Sequence, residues 1–232
     1  MILCLFVLCG LGAGSWVHYY CRFFAPRVAV EVHSAYCEIF ADNPPPLSME
    51  SSVLKPLKLG ACYKYACYGA LFFLLCALII GQNTTAFSFA LYCSLLYAVS
   101  RLDYHYRLID VALCQILMAL GLISAHLNAI PLSVPQSLFS LACGFCIFKS
   151  VYHLSYLFYQ QEVFGAGDYW LIAGVSAFIS WRQLPLMIFG ACCCALIYAL
   201  YLKLLSKDNS LIPFAPFLSL SAVFIFGLNM LG

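Results

Sequence analysis

The sequence predicts an all-α fold, a polytopic transmembrane helical bundle of about eight spans. Three observations predict it. Of the 232 residues, 65% are hydrophobic and only 9% are charged, where soluble domains have about a quarter charged residues. The apolar residues fall in long runs, several of them near the roughly 20 residues that a helix needs to cross a hydrocarbon layer. Nine acidic and eleven basic residues leave a net charge of +2, too small and too dispersed for a nucleic-acid footprint, so no nucleic-acid partner is expected.

The opening stretch, MILCLFVLCGLGAGSWVHYY, has the apolar middle of a signal peptide. It lacks a basic n-region and a clear small-x-small cleavage site, and is read as a retained first span over residues 2–20. Residues 21–65 form the one long polar segment. It contains DNPPPLSMESS, whose three prolines and missing apolar period argue for a loop or small subdomain. Further spans are expected near 66–81, 85–100, 108–127, 136–159, 169–181, 184–204 and 211–231. The short connections IIGQNTT and SAHLNAIPLSVPQ read as tight turns at the membrane surface. Most of the 14 cysteines lie inside apolar runs, Cys76, Cys93, Cys114 and the triplet Cys192, Cys193, Cys194 among them. There a free cysteine behaves as a small hydrophobe, so no disulfide framework is expected.

Orientation follows from the basic residues, which accumulate in cytoplasmic loops. With eight spans, one set of loops contains Arg22, Arg27, Lys55, Lys58, Lys64, Arg101, Arg107, Lys203 and Lys207, and the other only Arg182. The loops at 21–65, 100–107, 160–168 and 203–210 are therefore expected on the cytoplasmic side, with both termini opposite. The third span ends at Arg101-Leu102-Asp103, and the loop after the fifth ends at Gly167-Asp168. Both carboxylates thus fall at the same mouth.

A carboxylate near hydrocarbon is expensive, and intramembrane ionisable groups tend to face the bundle interior and mark function. Asp168 alone could simply cap a helix beginning at Tyr169. Its setting, FGAGD at residues 164–168, adds two glycines whose backbone freedom a plain cap does not require. Gly165 and Gly167 would let an extended substrate lie against bare backbone. If Asp103 and Asp168 meet, they cannot both ionise cheaply in a low dielectric, so they share a proton and titrate as a coupled pair. One then serves as base toward water and the other as acid toward a scissile carbonyl, which suits peptide hydrolysis. The sequence has no H-E-x-x-H and no G-x-S-x-G to support a metal or serine mechanism.

Three blocks resemble a known family, the type IV prepilin peptidases, membrane aspartyl proteases of the GxGD group. They are LDYHYRLID at 102–110, EVFGAGD at 162–168 and PFAPFLSLSA at 213–222. The resemblance implies that Asp103 and Asp168 are the catalytic pair, that Gly165 and Gly167 shape the approach, and that Glu162 supports the GxGD turn. It implies a protease domain over residues 66–232. The implied substrates are prepilin or pseudopilin leaders with their hydrophobic N-terminal helix, cut at the cytoplasmic face of a bacterial inner membrane. S-adenosylmethionine is implied as a cofactor if N-methylation of the new terminus is retained; proteolysis needs none. This chain departs from the family pattern at Trp170, where a Lys is common, at Asp110, where a Pro is common, and at Ala215, where the third block has Gly. Its first loop has only Cys21, Cys37 and Cys62, without the paired C-x-x-C spacing of a zinc site, so no metal is expected.

Other readings were weighed against this one. Cys143-Gly-Phe-Cys146 could serve a thiol oxidoreductase, but both sulfurs fall mid-span, where such pairs are core filler. A transporter or non-enzymatic assembly subunit could use the acids to bind protons or ions, with Lys149, His153 and Tyr156 along span five as a polar path. Those three could equally snorkel or hydrogen-bond between helices. His18 and His105 are lone imidazoles beside interfacial aromatics and are assigned no role.

Overall fold

The computed structural model describes residues 1–40, 54–160, 165–205 and 212–231. It has eight α-helices: α1 (Ile2–Ile39), α2 (Cys62–Ile79), α3 (Thr84–Tyr106), α4 (Val111–His126), α5 (Val134–Tyr159), α6 (Ala166–Ser176), α7 (Leu184–Leu204) and α8 (Ala215–Leu231). A 3₁₀ turn at Trp181–Gln183 precedes α7, and no strand occurs among the described residues. Five helices, α1, α2, α3, α5 and α7, are long and apolar enough to cross a membrane. The outward faces are apolar too: Leu154, Leu186, Phe189, Ile197 and Phe224 all stand exposed, as expected where the solvent is lipid.

Each expected run has its helix, but three boundaries differ in ways that matter. Helix α1 continues to Ile39, through a stretch read as loop from residue 21, and tolerates Pro26 in its interior. The proline triplet that suggested a loop begins only at residue 44, beyond the end of the helix. Helix α3 runs on to Tyr106, so Asp103 lies inside its last turn rather than beyond its end. Helix α6 starts at Ala166 with Gly165 as N-cap, so Asp168 occupies its first turn and does not cap a helix beginning at Tyr169.

Local chemistry sets several of these ends. The Asn83 side chain accepts the Ala86 N–H at 2.9 Å to start α3, and Gln136 reaches back to the Ser133 N–H at 3.1 Å to start α5. Helix α3 closes on Arg107 in the left-handed region, φ 54°, whose N–H donates to the Asp103 carbonyl at 2.8 Å.

Without water to expel, helices in lipid associate through close packing and interhelical hydrogen bonds. Both are present. Helix α1 lies backbone to backbone on α2: a Cβ added to Gly14 would fall 2.1 Å from the Tyr65 carbonyl oxygen, and one on Gly10 would fall 2.5 Å from that of Gly69. Ser137 Oγ donates to the Ala177 carbonyl and Ser221 Oγ to that of Met187, both at 2.6 Å. Gln183 and Asn229 exchange two hydrogen bonds of 2.8 Å between the segment before α7 and the end of α8. The short α6 is the central post. It packs against α4, α5 and α8, and every residue from Leu171 to Ile179 is buried.

Candidate active site

The end of α3, the start of α6 and the start of α8 converge on one cavity of about 940 Å³. Asp103 and Asp168 both line it, with Arg107, Ile109, Gly165, Gly167 and Pro213 among the other wall residues. Acids far apart in the chain therefore open on the same space.

Asp103 is buried, with 6% of its surface exposed. Its Oδ2 accepts the backbone N–H of Ala215 at 2.9 Å, and the Arg107 guanidinium lies close enough to act on it electrostatically. The N–H comes from the first residue of α8, one of the orphan donors at a helix start, which favour a negative charge. The third sequence block, PFAPFLSLSA, thus contributes a main-chain donor rather than a side chain. Nothing in side-chain patterning could have signalled that.

Asp168 is half-buried, and its own N–H donates to the Gly165 carbonyl at 3.0 Å. It precedes the apolar stretch 169–181 that the sequence assigns to a span. Burial, and then the negative charge of Asp103, push its carboxyl up to about 7, against a backbone hydrogen bond at Gly165 that works the other way. A carboxyl raised to about 7 exchanges its proton around neutrality, so two interacting acids here can share one proton, the state that acid–base hydrolysis of an amide uses.

The glycines act by close approach. Gly165 has φ −63°, open to any residue, and Gly167 sits in regular helix. A Cβ on Gly167, however, would fall 2.5 Å from Cβ of Ile109, and one on Gly165 would fall 2.9 Å from Oδ2 of Asp168. The expected backbone freedom is not what these positions use; the fold needs their missing side chains. Glu162 lies outside the described residues.

One part of the surroundings went unread in the sequence. Asp110 accepts the Ala112 N–H at 2.9 Å as the N-cap of α4, and its other oxygen takes both the Tyr20 hydroxyl and the Arg27 guanidinium. Arg27 also lies over the Tyr20 ring, 4.7 Å from its centroid. This cluster ties α1 to the loop between α3 and α4, and the residue before Asp110 is the Ile109 that packs on Gly167. In the sequence Asp110 stands out only as an acid preceding an apolar run, where the resembled pattern has Pro.

The competing constellations do not assemble. Lys149, His153 and Tyr156 are exposed on the outside of α5, with Lys149 Nζ 5.1 Å from the Phe145 ring centroid, and so line no path through the bundle. Cys143 and Cys146 are unpaired. His18 Nε2 meets the Gly60 carbonyl oxygen at 2.9 Å, and His105 is exposed. No group of three or more His, Cys, Asp or Glu that could hold a metal ion occurs among the described residues.

A helical bundle with membrane-crossing helices and two acids opening on one cavity of about 940 Å³ is of the class that can support acid–base hydrolysis. Comparison with known proteins narrows this. Residues 90–200 match the type IV leader peptidase family. A prepilin leader peptidase/N-methyltransferase of Haemophilus influenzae is 30% identical over 229 residues, 98% of this chain and 97% of that protein. A type 4 prepilin-like proteins leader peptide-processing enzyme of Escherichia coli is 29% identical over 66% of this chain and 56% of its own length. A prepilin leader peptidase/N-methyltransferase of Pseudomonas aeruginosa is 31% identical over 54% and 44%. No solved structure matches the chain. The chain belongs to the type IV leader peptidase family and is a membrane protease.

Proposed function

We propose that this protease removes the leader peptides of type IV prepilins or secretion pseudopilins, with Asp103 and Asp168 as its acid–base pair. One observation carries the reading: the two carboxylates, brought from separate parts of the chain, share a cavity beside the GxGD turn. The ionised acid takes a proton from the attacking water while the protonated partner donates to the scissile carbonyl oxygen. The N–H of Ala215 donates to Asp103 and by itself favours the ionised form of that acid, while burial and the charge of Asp103 raise the carboxyl of Asp168 and favour it as the protonated member. A substrate helix would enter from the lipid with its leader toward the cavity, and residues 66–232 would form the protease domain.

The nine-to-one split of basic residues between loop sets supports a cytoplasmic active site in a bacterial inner membrane. The names of the Haemophilus influenzae and Pseudomonas aeruginosa relatives include N-methyltransferase; in this chain such an activity would act on the new terminus and draw on S-adenosylmethionine as methyl donor. Among the described residues the charged groups on the cavity are Asp103, Asp168 and Arg107. With both carboxylates occupied in hydrolysis, none remains to hold a ribose diol. No step is assigned to that cofactor.

Co-expression with a prepilin, followed by mass spectrometry of the pilin N-terminus, tests the reading. A shortened pilin is expected with the wild-type chain, and methylation would show as an added 14 mass units, about one CH₂. An intact leader with wild-type protein present in the membrane would overturn it.

A further inference from the structure

A second cavity, about 410 Å³ in volume, lies away from the acids between α1, α2 and α3. Its walls include Gly14 and Val17 of α1, Tyr65 and Gly69 of α2, and Cys93 and Tyr97 of α3. Tyr68, Phe72 and Tyr97 at its rim are 69%, 36% and 47% exposed, so it opens outward, toward the bilayer. Its size is that of a ligand pocket, about 300–1,000 Å³.

Cys93, Tyr97 and Arg101 follow at intervals of four along α3 and so share one face. Arg101 therefore stands one turn beyond the cavity, at the end of the bundle where Asp103 lies. Its charge acts on both Tyr97 and Cys21, which brackets it between α3 and α1. Its Nε is buried without a hydrogen-bond partner. Two other guanidinium groups at this end face acids, Arg27 on Asp110 and Tyr20 and Arg107 near Asp103, while Arg22 lies over the Phe23 ring. No acid among the described residues pairs with Arg101. Lys64, exposed in the first turn of α2, stands one turn before the rim residue Tyr68.

A guanidinium with a buried, unsatisfied nitrogen beside hydrocarbon is costly unless an anion meets it. An outward-opening apolar slot whose wall residue Tyr97 lies one turn from that guanidinium suits an acyl chain as the anion's other half. We propose that this cavity binds one anionic phospholipid, its phosphate on Arg101 with Lys64 nearby and an acyl chain between α1, α2 and α3. Basic pockets between transmembrane helices take headgroups in this way, and a choline headgroup would bring a like charge against Lys64.

The site is tested on the purified full chain in detergent by native mass spectrometry, with phosphatidylglycerol and phosphatidylcholine of identical chains and with inorganic phosphate as a third arm. Wild type is expected to retain one phosphatidylglycerol with about a fivefold preference, the worth of one cation beside an anionic headgroup. Arg101→Gln should abolish the preference, Arg101→Lys should keep most of it, and Cys93→Trp, which fills the slot, should weaken retention of both lipids. Inorganic phosphate should displace neither. Equal retention of the two lipids by wild type, an undiminished preference in a folded Arg101→Gln, or displacement by inorganic phosphate would each overturn the proposal. Should Arg101→Gln fail to fold, the wild-type ratio and Cys93→Trp still decide it. None of these readouts depends on leader cleavage.

Discussion

The N–H of Ala215 donates to Oδ2 of Asp103 at 2.9 Å, tying the first residue of α8 to the last turn of α3. A side-chain amide can accept the same hydrogen bond through its oxygen but cannot act as a proton-transferring acid. Asp103→Asn and Asp168→Asn are therefore expected to leave the protein inserted and monodisperse while slowing leader removal by at least about a hundredfold. Size-exclusion chromatography and a cleavage gel on the same preparations check this. Full cleavage by either variant would refute the pair.

The raised carboxyl of Asp168, at about 7, gives a pH profile with a defined sign. Below that value the pair retains its proton; above it the second acid ionises and cleavage should decline. Stability follows the same group. The folded protein binds this proton where the unfolded chain has lost it, so stability falls as pH rises from the ordinary carboxylate range through about 7. Asp168→Asn should flatten that dependence, and thermal melts of both proteins across pH 5–8 provide the comparison.

Gly167 and Ile109 form a second pair open to test. Gly167→Ala places its Cβ 2.5 Å from Cβ of Ile109 and should destabilise the turn by about 1–3 kcal/mol, as overpacked sites do. Because the contact is with Cβ itself, Ile109→Gly should relieve the clash and Ile109→Ala should not. A double-mutant cycle on apparent Tm and on cleavage reads the coupling.

Asp110 supports the same loop from its other side. Asp110→Ala removes the α4 cap, worth about 1 kcal/mol, and releases Tyr20 and Arg27. Asp110→Asn can keep the cap and should cost less. Arg27→Ala should cost least, because its side chain is 44% exposed and exposed ion pairs contribute only about 0–1 kcal/mol. Thermal melts of the three variants should fall in that order.

The bundle was legible because apolar runs must be long to cross lipid, and every expected run corresponds to a helix. That Asp103 and Asp168 open on one space was legible because both fall at the same end of their apolar runs and the GxGD turn is distinctive. Boundaries were less so. Residues 21–39 carry enough polar groups to suggest a loop, yet the helix continues through them, Pro26 included. The parts least visible were those made by the backbone or by tertiary contact. The Ala215 donor has no side-chain signature, Gly167 meets Ile109 only once α6 is seated, and Asp110 shows its two roles only when α1 reaches it.

The buried column from Leu171 to Ile179 has a mechanical consequence. Helix α6 has 11 residues and no side facing the bilayer along that column, whereas α3 has 23 and is long enough to span. Hydrophobic mismatch acts by tilting helices that touch lipid. A thicker or thinner membrane therefore bears on the helix holding Asp103 and leaves the one holding Asp168 sheltered, so the gap between the two acids becomes a gauge of the host membrane.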